Sequence, residues 1–212
     1  HVFEVVVIGA GPGGICTAIK LAEAGISNFV LLEKGAGVDG TWWNNRYPGA
    51  ECDVPSHLYS FSFAPKRDWT RPYARQPEIL AYMRHVAEKY QVNERVRLHA
   101  EVTSASWNES ASQWEIVLAD GERVLARSLV SGIGMFTSLA YPDIPGISDF
   151  AGTAFHTGDW DDNHNLDGER VAVIGTAASA VQMIPEIVDK VSHLTVYQRR
   201  PQWVLPKEDA PY

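Results

Sequence analysis

The sequence predicts an α/β fold with two strand-turn-helix-strand units and an antiparallel β insertion between them, and three observations predict it. Glu4 to Ile8 is a short aliphatic run that leads straight into Gly9-Ala10-Gly11-Pro12-Gly13-Gly14. The arrangement returns at Val171 to Ile174, which leads into Gly175-Thr176-Ala177-Ala178-Ser179-Ala180. Between the two, several short alternating runs are punctuated by the turn signal Asp120-Gly121.

In the first unit, Val-Val-Val-Ile reads as a buried parallel strand. Ile15, Ala18, Ile19 and Ala22 then recur at helical spacing, Gly25 is placed to end the helix, and Phe29 to Leu32 is a second apolar run. Gly9, Gly11 and Gly14 would supply a tight turn, close approach of backbone to a pyrophosphate, and tight packing of helix on strand. The helix N-terminus offers free N–H groups to that anion. Glu33 closes the second strand nineteen positions after Gly14, where a carboxylate can accept hydrogen bonds from ribose hydroxyls.

Ala50 to Gln76 is rich in aromatic residues and proline, with Tyr59, Phe61, Phe63, Trp69 and Tyr73, and is expected to be ordered without regular structure. Pro77 suits the start of a helix, and Ile79, Leu80, Met83, Val86, Ala87 and Tyr90 form its apolar face. Val96–Leu98, Val102–Trp107, Trp114–Leu118 and Val124–Leu125 read as strands. Leu129-Val130-Ser131-Gly132-Ile133-Gly134 reads as a further strand with a glycine turn, and Pro142 and Pro145-Gly146 as a linker.

The second unit repeats the first with two changes. Ala180 stands at the third motif position, where alanine is common, and Ala177 replaces the middle glycine, adding a methyl group where backbone approaches phosphate. Arg199 follows Ala180 by nineteen positions, so a guanidinium stands where the first unit has Glu33. A carboxylate suits free ribose hydroxyls, whereas a guanidinium pairs with a 2'-phosphate. The first unit therefore fits FAD and the second NADPH, with Gly175, Thr176, Ala177, Ser179, Ala180, Arg199 and Arg200 as the candidate contacts of the latter. Without the upstream turn, Arg199-Arg200 would read as a solvated basic pair.

Composition narrows the classes further. The 212 residues are 45% hydrophobic and 21% charged, enough for a substantial core, and a net charge of −8 offers no basic surface to nucleic acid. No apolar run approaches the ~20 residues of a membrane span, so a cytosolic protein is expected. Cys16 and Cys52 have no metal-ligand spacing and read as buried thiols. Asp159 to His164 fails as a calcium loop because His164 stands where glycine is needed and Arg170 where glutamate is needed, so a solvated turn is expected and no metal site.

Two longer patterns carry a resemblance. Gly40, Trp42, Tyr47, Pro48, Gly49 and Asp53 fit G-x-W-x-x-x-x-Y-P-G-x-x-x-D, and Phe150, Gly152, His156, Trp160 and Asp161 fit F-x-G-x-x-x-H-x-x-x-W-D. Both resemble the signatures of the Baeyer-Villiger monooxygenases, flavoenzymes that insert one oxygen atom of O2 beside a ketone. The resemblance implies that NADPH reduces FAD, that a C4a-peroxyflavin attacks the ketone, and that an ester or lactone results. It implies that Thr41, Trp42, Trp43, Tyr59 and Val102 lie along the flavin and that Asp53 is the functional carboxylate, holding an active-site arginine. His156 would help link the domains and position the nicotinamide cofactor instead of acting as a base.

Members of that family are far longer, and their arginine lies beyond the position matching Tyr212. The expectation is a fragment of a larger two-domain flavoenzyme: residues 1–145 the FAD-binding domain, residues 146–212 the start of the NADPH-binding domain, and the fragment itself inactive. Two alternatives are a flavin monooxygenase that oxidises nitrogen or sulfur, against which Trp160-Asp161 speaks, and a non-catalytic nucleotide-binding module.

Overall fold

Strand β1 (Val2–Ile8) forms where Val5, Val6 and Val7 stand consecutively, and all three are buried, as expected of a strand covered on both faces. The computed structural model describes residues 1–38, 40–136 and 138–212. It divides into two compact units, residues 1–43 with 80–137 and residues 44–79 with 138–212.

In the first unit, β1 passes through the glycine turn into helix α1 (Pro12–Glu23), which buries Gly14, Ile15, Ala18 and Ile19. The helix ends as its sequence demands. Gly25 takes the left-handed conformation at φ 80°, its N–H bonds to Ala22 O and that of Ile26 to Leu21 O, closing a Schellman motif. Strand β2 (Phe29–Leu32) is buried throughout and pairs parallel to β1. A short helix, α2 (Thr41–Asn44), follows, and α3 (Gln76–Lys89), of which residues 80–89 belong to this unit, buries Tyr82, Met83, Val86 and Ala87 on one face.

The rest of this unit is sheet: β3 (Val96–Arg97), β4 (Val102–Asn108), β5 (Gln113–Leu118) and β6 (Arg123–Ser131). The order is β3-β2-β1-β6-β5-β4, with β3, β2, β1 and β6 parallel and β5 and β4 antiparallel additions. The Asp120-Gly121 turn is present, with Gly121 at φ 89° and the Asp120 carboxylate accepting from Glu122 N–H. Val124–Leu125 and Leu129–Val130, read from sequence as separate strands, are one continuous strand. Its first half pairs antiparallel to β5 (Trp114 with Ala126) while Val2 to Ile8 pair parallel to Leu125 to Ser131, so β1 carries the strand on past the last β5 partner and holds the polar middle, Arg127-Ser128, extended. Val6, Val30, Leu32, Ala100, Ile116, Leu118, Val124 and Ala126 form the core on one face of this sheet.

The second unit contains β7 (Arg170–Ile174), α4 (Ala178–Ile187) and β8 (His193–Tyr197), with β7 and β8 parallel and in register from Arg170–His193 to Ile174–Tyr197. Residues 50–76 belong to it, ordered by backbone bonds such as Cys52 N–H to Ala74 O and Gln76 N–H to Ala50 O. Tyr47, Ala50, Val173, Ala180, Met183 and Ile187 make its core. Among the described residues no helix is long and apolar enough to cross a membrane.

A Cβ on Gly14 would lie 2.1 Å from Gly9 O, whereas one on Gly13 meets nothing within 4 Å. Gly14→Ala is therefore expected to destabilise by roughly 1 to 3 kcal/mol, and Gly13→Ala to be neutral or stabilising by up to ~1 kcal/mol. Urea titrations of the two variants without added nucleotide check this; equal midpoints would show that the turn has room.

Candidate functional site

The first glycine turn is built by the absence of side chains. Gly9 takes φ 94°, and a Cβ there would stand 2.6 Å from Gly132 O, at the end of β6. Gly9 N–H bonds to Leu32 O, and Gly132 N–H to Ile8 O, so the turn is tied to both neighbouring strands. Gly11 is the N-cap of α1 at φ −74°, ψ −172°, with no side-chain cap and no acid in the first turn. The helix end thus presents N–H groups to an anion, with no acid in the helix's own first turn to compete for them.

Glu33, 9% exposed, leaves the end of β2 and turns back to this loop. Its Oε2 accepts from Ala10 N–H at 2.8 Å and its Oε1 from Gly35 N–H at 2.8 Å. Two backbone donors thus fix the carboxylate, and a carboxylate accepts up to about four hydrogen bonds, so capacity remains for hydroxyl donors. Gly40, at φ 53°, packs against Gly11, where a Cβ on Gly40 would come within 2.9 Å of Gly11 Cα. Thr41 and Trp42 follow in α2, Trp42 buried, and Trp43 packs on Gly37 beneath the Arg84 guanidinium, 5.1 Å from the ring centre. Val102 opens β4, partly buried against the sheet core.

The second turn has nearly the same backbone. Gly175 takes φ 113°, its N–H bonds to Tyr197 O, and Ala177 caps α4 at φ −80°, ψ −175°, again with no side-chain cap and no acid in the first turn. An extended N-cap accepts alanine as readily as glycine, so Ala177 costs the backbone nothing. Ala180 is buried in the core where its counterpart Gly14 has no room for a methyl group. Thr176 Oγ1 accepts from Gln198 Nε2 at 3.1 Å, and Arg199 and Arg200 follow in an exposed bend after β8.

Tyr47 to Asp53 lie against α4 in the same unit, and sequence reasoning missed the residue that holds them. Gln182 Oε1 accepts from Tyr47 OH at 2.8 Å and from Glu51 N–H at 3.3 Å. Its Nε2 donates to Glu51 O and to Asp53 Oδ1, each at 3.1 Å. Gly49 permits the approach: at φ 79° its α-carbon is so close that a Cβ would lie 2.4 Å from Gln182 O. The ion pairs Lys207–Glu51 and Arg75–Glu186 flank the contact. Burial pushes the Tyr47 phenol above its ordinary range, against a smaller opposing hydrogen bond from Ser179, and burial raises the Cys52 thiol likewise. Asp53 is exposed, and Tyr59 caps the short turn Ser56–Leu58, partly buried.

The second signature forms a series of small turns. Phe150 is exposed and lies against Gly152, where a Cβ would meet the ring at 2.6 Å. His156 Nδ1 accepts from Gly158 N–H at 2.9 Å, which assigns the ring proton of the neutral histidine to Nε2. Trp160 packs edge-on against Phe155 and against the core around Tyr47. Asp161 Oδ1 accepts from Asn163 N–H at 3.0 Å, the solvated turn expected of this acidic stretch.

Residues 6–212 match the pyridine nucleotide-disulphide oxidoreductase family. A Baeyer-Villiger monooxygenase of Pseudomonas aeruginosa is 47% identical over 206 residues, which are 97% of this chain and 39% of that protein. Among solved structures, cyclohexanone monooxygenase from Rhodococcus sp. Phi1 bound to NADP+ superposes with a TM-score of 0.92 at 40% identity, covering 100% of this chain and 40% of the other. OTEMO in complex with FAD and NADP gives 0.93 at 36% identity, over 99% of this chain and 41% of the other. The chain thus spans about two fifths of the length of the relatives it matches.

A raised phenol pKa stabilises the fold below the tyrosine's ordinary value near 10, and that contribution is lost as pH rises through the folded value. At pH 8, Tyr47→Phe should be less stable than the parent by about 1 kcal/mol, the worth of one hydrogen bond. This gap should shrink above about pH 10. Urea midpoints across that range test it; a constant gap would mean the phenol ionises alike folded and unfolded.

Proposed function

The chain belongs to the pyridine nucleotide-disulphide oxidoreductase family, and from that membership we propose that it binds FAD and NADPH and serves a Baeyer-Villiger oxidation, insertion of one oxygen atom of O2 beside a ketone to give an ester or lactone. One observation carries the cofactor assignment: two glycine turns of nearly the same backbone geometry lead to opposite charges, Glu33 after the first and Arg199 after the second. The signature around Asp53 and the likeness to a Baeyer-Villiger monooxygenase in sequence and to cyclohexanone monooxygenase in structure support the choice of reaction.

Bound FAD and NADPH would supply the hydride transfer and the activation of oxygen. In this reading the protein binds, orients and stabilises charge. The uncapped N-terminus of α1, reached through Gly9, Gly11 and Gly14, holds the FAD pyrophosphate, and Glu33 takes the ribose hydroxyls on its remaining lone pairs. Thr41, Trp42, Trp43 and Val102 are the proposed flavin neighbours within that unit. The equally uncapped α4 holds the NADPH pyrophosphate behind Gly175, Thr176, Ala177, Ser179 and Ala180, and Arg199 and Arg200 take the 2'-phosphate. Phe150, Gly152, His156, Trp160 and Asp161 shape the stretch that positions the nicotinamide cofactor, and Asp53 is the functional carboxylate. Residues 1–145 and 146–212 are the two cofactor domains of this reading.

Arg199→Ala is expected to weaken NADPH binding roughly tenfold or more, the loss of a charge-assisted pair worth about 1.5 to 3 kcal/mol, and to leave NADH nearly unchanged. Calorimetric titration with both nucleotides checks this, and equal losses would remove Arg199 from phosphate recognition.

Gly11→Val should yield protein without flavin absorbance, because a branched side chain blocks the approach of the pyrophosphate. The reaction itself is tested on the whole protein that carries these residues, given FAD, NADPH, O2 and cyclic, linear and aryl ketones, with products read by mass spectrometry. Esters or lactones are expected. Oxidation of amines or sulfides with every ketone untouched would instead place it among the nitrogen- or sulfur-oxidising flavin monooxygenases.

A further inference from the structure

We propose that Gln182 is a positioning residue for Asp53, fixing its carboxylate to helix α4 through hydrogen bonds that use the whole capacity of the amide. A glutamine side chain has two acceptor lone pairs and two donor hydrogens. In Gln182 both acceptor sites are used, by Tyr47 OH and Glu51 N–H, and both donors, by Glu51 O and Asp53 Oδ1. These partners also settle which way the amide points. Reversed, its oxygen would face the Glu51 carbonyl and the Asp53 carboxylate, while its NH2 would face the Glu51 N–H, so three of the four contacts would become repulsive.

Two features show that this contact is built into the fold. Gly49 has no room for a Cβ beside Gln182 O, which brings the loop close enough for the side chain to reach it. Tyr47 is buried, so its hydroxyl has to be satisfied from within the protein, and Gln182 does so at 2.8 Å. The residues held belong to one stretch, Tyr47, Glu51 and Asp53, and the residue that holds them lies one turn into the helix whose N-terminus begins at the second glycine loop. Any displacement of α4 is therefore transmitted to Asp53 by a side chain with no unused bond.

The functional half of this proposal rests on the reading of Asp53 given above, and the test separates the two. Cys52, 4% exposed between two of the residues that Gln182 holds, reports on the stretch without any cofactor, and Cys16 in α1 serves as an internal control. Gln182→Met keeps the length and removes every polar contact. Gln182→Glu keeps the two acceptors but removes the donors toward Glu51 O and Asp53, and still reports should the methionine variant fail to fold. With dithiodipyridine in excess and the circular dichroism spectrum unchanged, Cys52 should react at least tenfold faster in both variants and Cys16 at its original rate. An unchanged Cys52 rate overturns the proposal. In the whole protein with FAD, NADPH and a ketone that it oxidises, kcat should fall at least tenfold with the ketone KM little altered. Faster labelling with unchanged kcat would overturn the role toward Asp53. If the parent protein oxidises no ketone, the reading of the reaction fails, and the Cys52 rates still decide whether Gln182 holds the stretch.

Discussion

Contact of backbone with backbone at the first glycine turn is the constraint on which the first unit depends. Gly14 on α1 lies against Gly9 O, and Gly9 in turn lies against Gly132 O at the end of β6, with no side chain between them. Two residues of one turn and a third from far along the chain therefore meet at distances that a single methyl group would prevent. The consequence is electrostatic as well as steric, because the N-terminus of α1 is held directly over the ends of β1 and β6, open to an anion. Glu33 completes the arrangement by bonding back to Ala10 N–H, which places the acid beside the turn before any ligand arrives.

The second turn meets the same demand less tightly. Gly175 keeps the left-handed conformation, but Ala177 and Ala180 carry methyl groups that their counterparts Gly11 and Gly14 lack. Part of the stability that bare packing provides in the first unit comes here from side chains around α4. Tyr47, Ala50 and Trp160 cover its apolar face, and Gln182 joins the helix to the loop. A polar contact of this kind specifies one alignment of loop on helix, where apolar packing alone would tolerate several.

Local patterns made much of this legible in the sequence. Both glycine turns, the Schellman end of α1 at Gly25 and the Asp120-Gly121 hairpin follow from residue types within a few positions of one another, where backbone sterics decide the outcome. Gln182 was not legible, because its partners lie 129 to 135 positions away. The one signal was an amide between Val181 and Met183 in the apolar middle of the helix. The continuity of β6 was hidden for a similar reason. Arg127-Ser128 looks like a break until β1, far earlier in the chain, is present to pair across it. Glu33 could be placed at a strand end from spacing alone, but its two backbone donors belong to turns whose shape depends on the folded chain.

That β6 pairs with β1 has a consequence for how the sheet assembles. Val2 meets Leu125 across a sequence separation of 123 residues, while β5 meets β6 through a tight hairpin. Closing the long loop costs more chain entropy than closing the short one, so the pairing of β1 with β6 is the costlier closure and the β5-β6 hairpin the cheaper one. On a ribosome, β1 emerges before β6 and stands without that neighbour until β6 has been made. The strand that carries the glycine turn is thus made well ahead of one of its two partners, and the interval leaves a hydrophobic edge, Val5-Val6-Val7, to be shielded during synthesis.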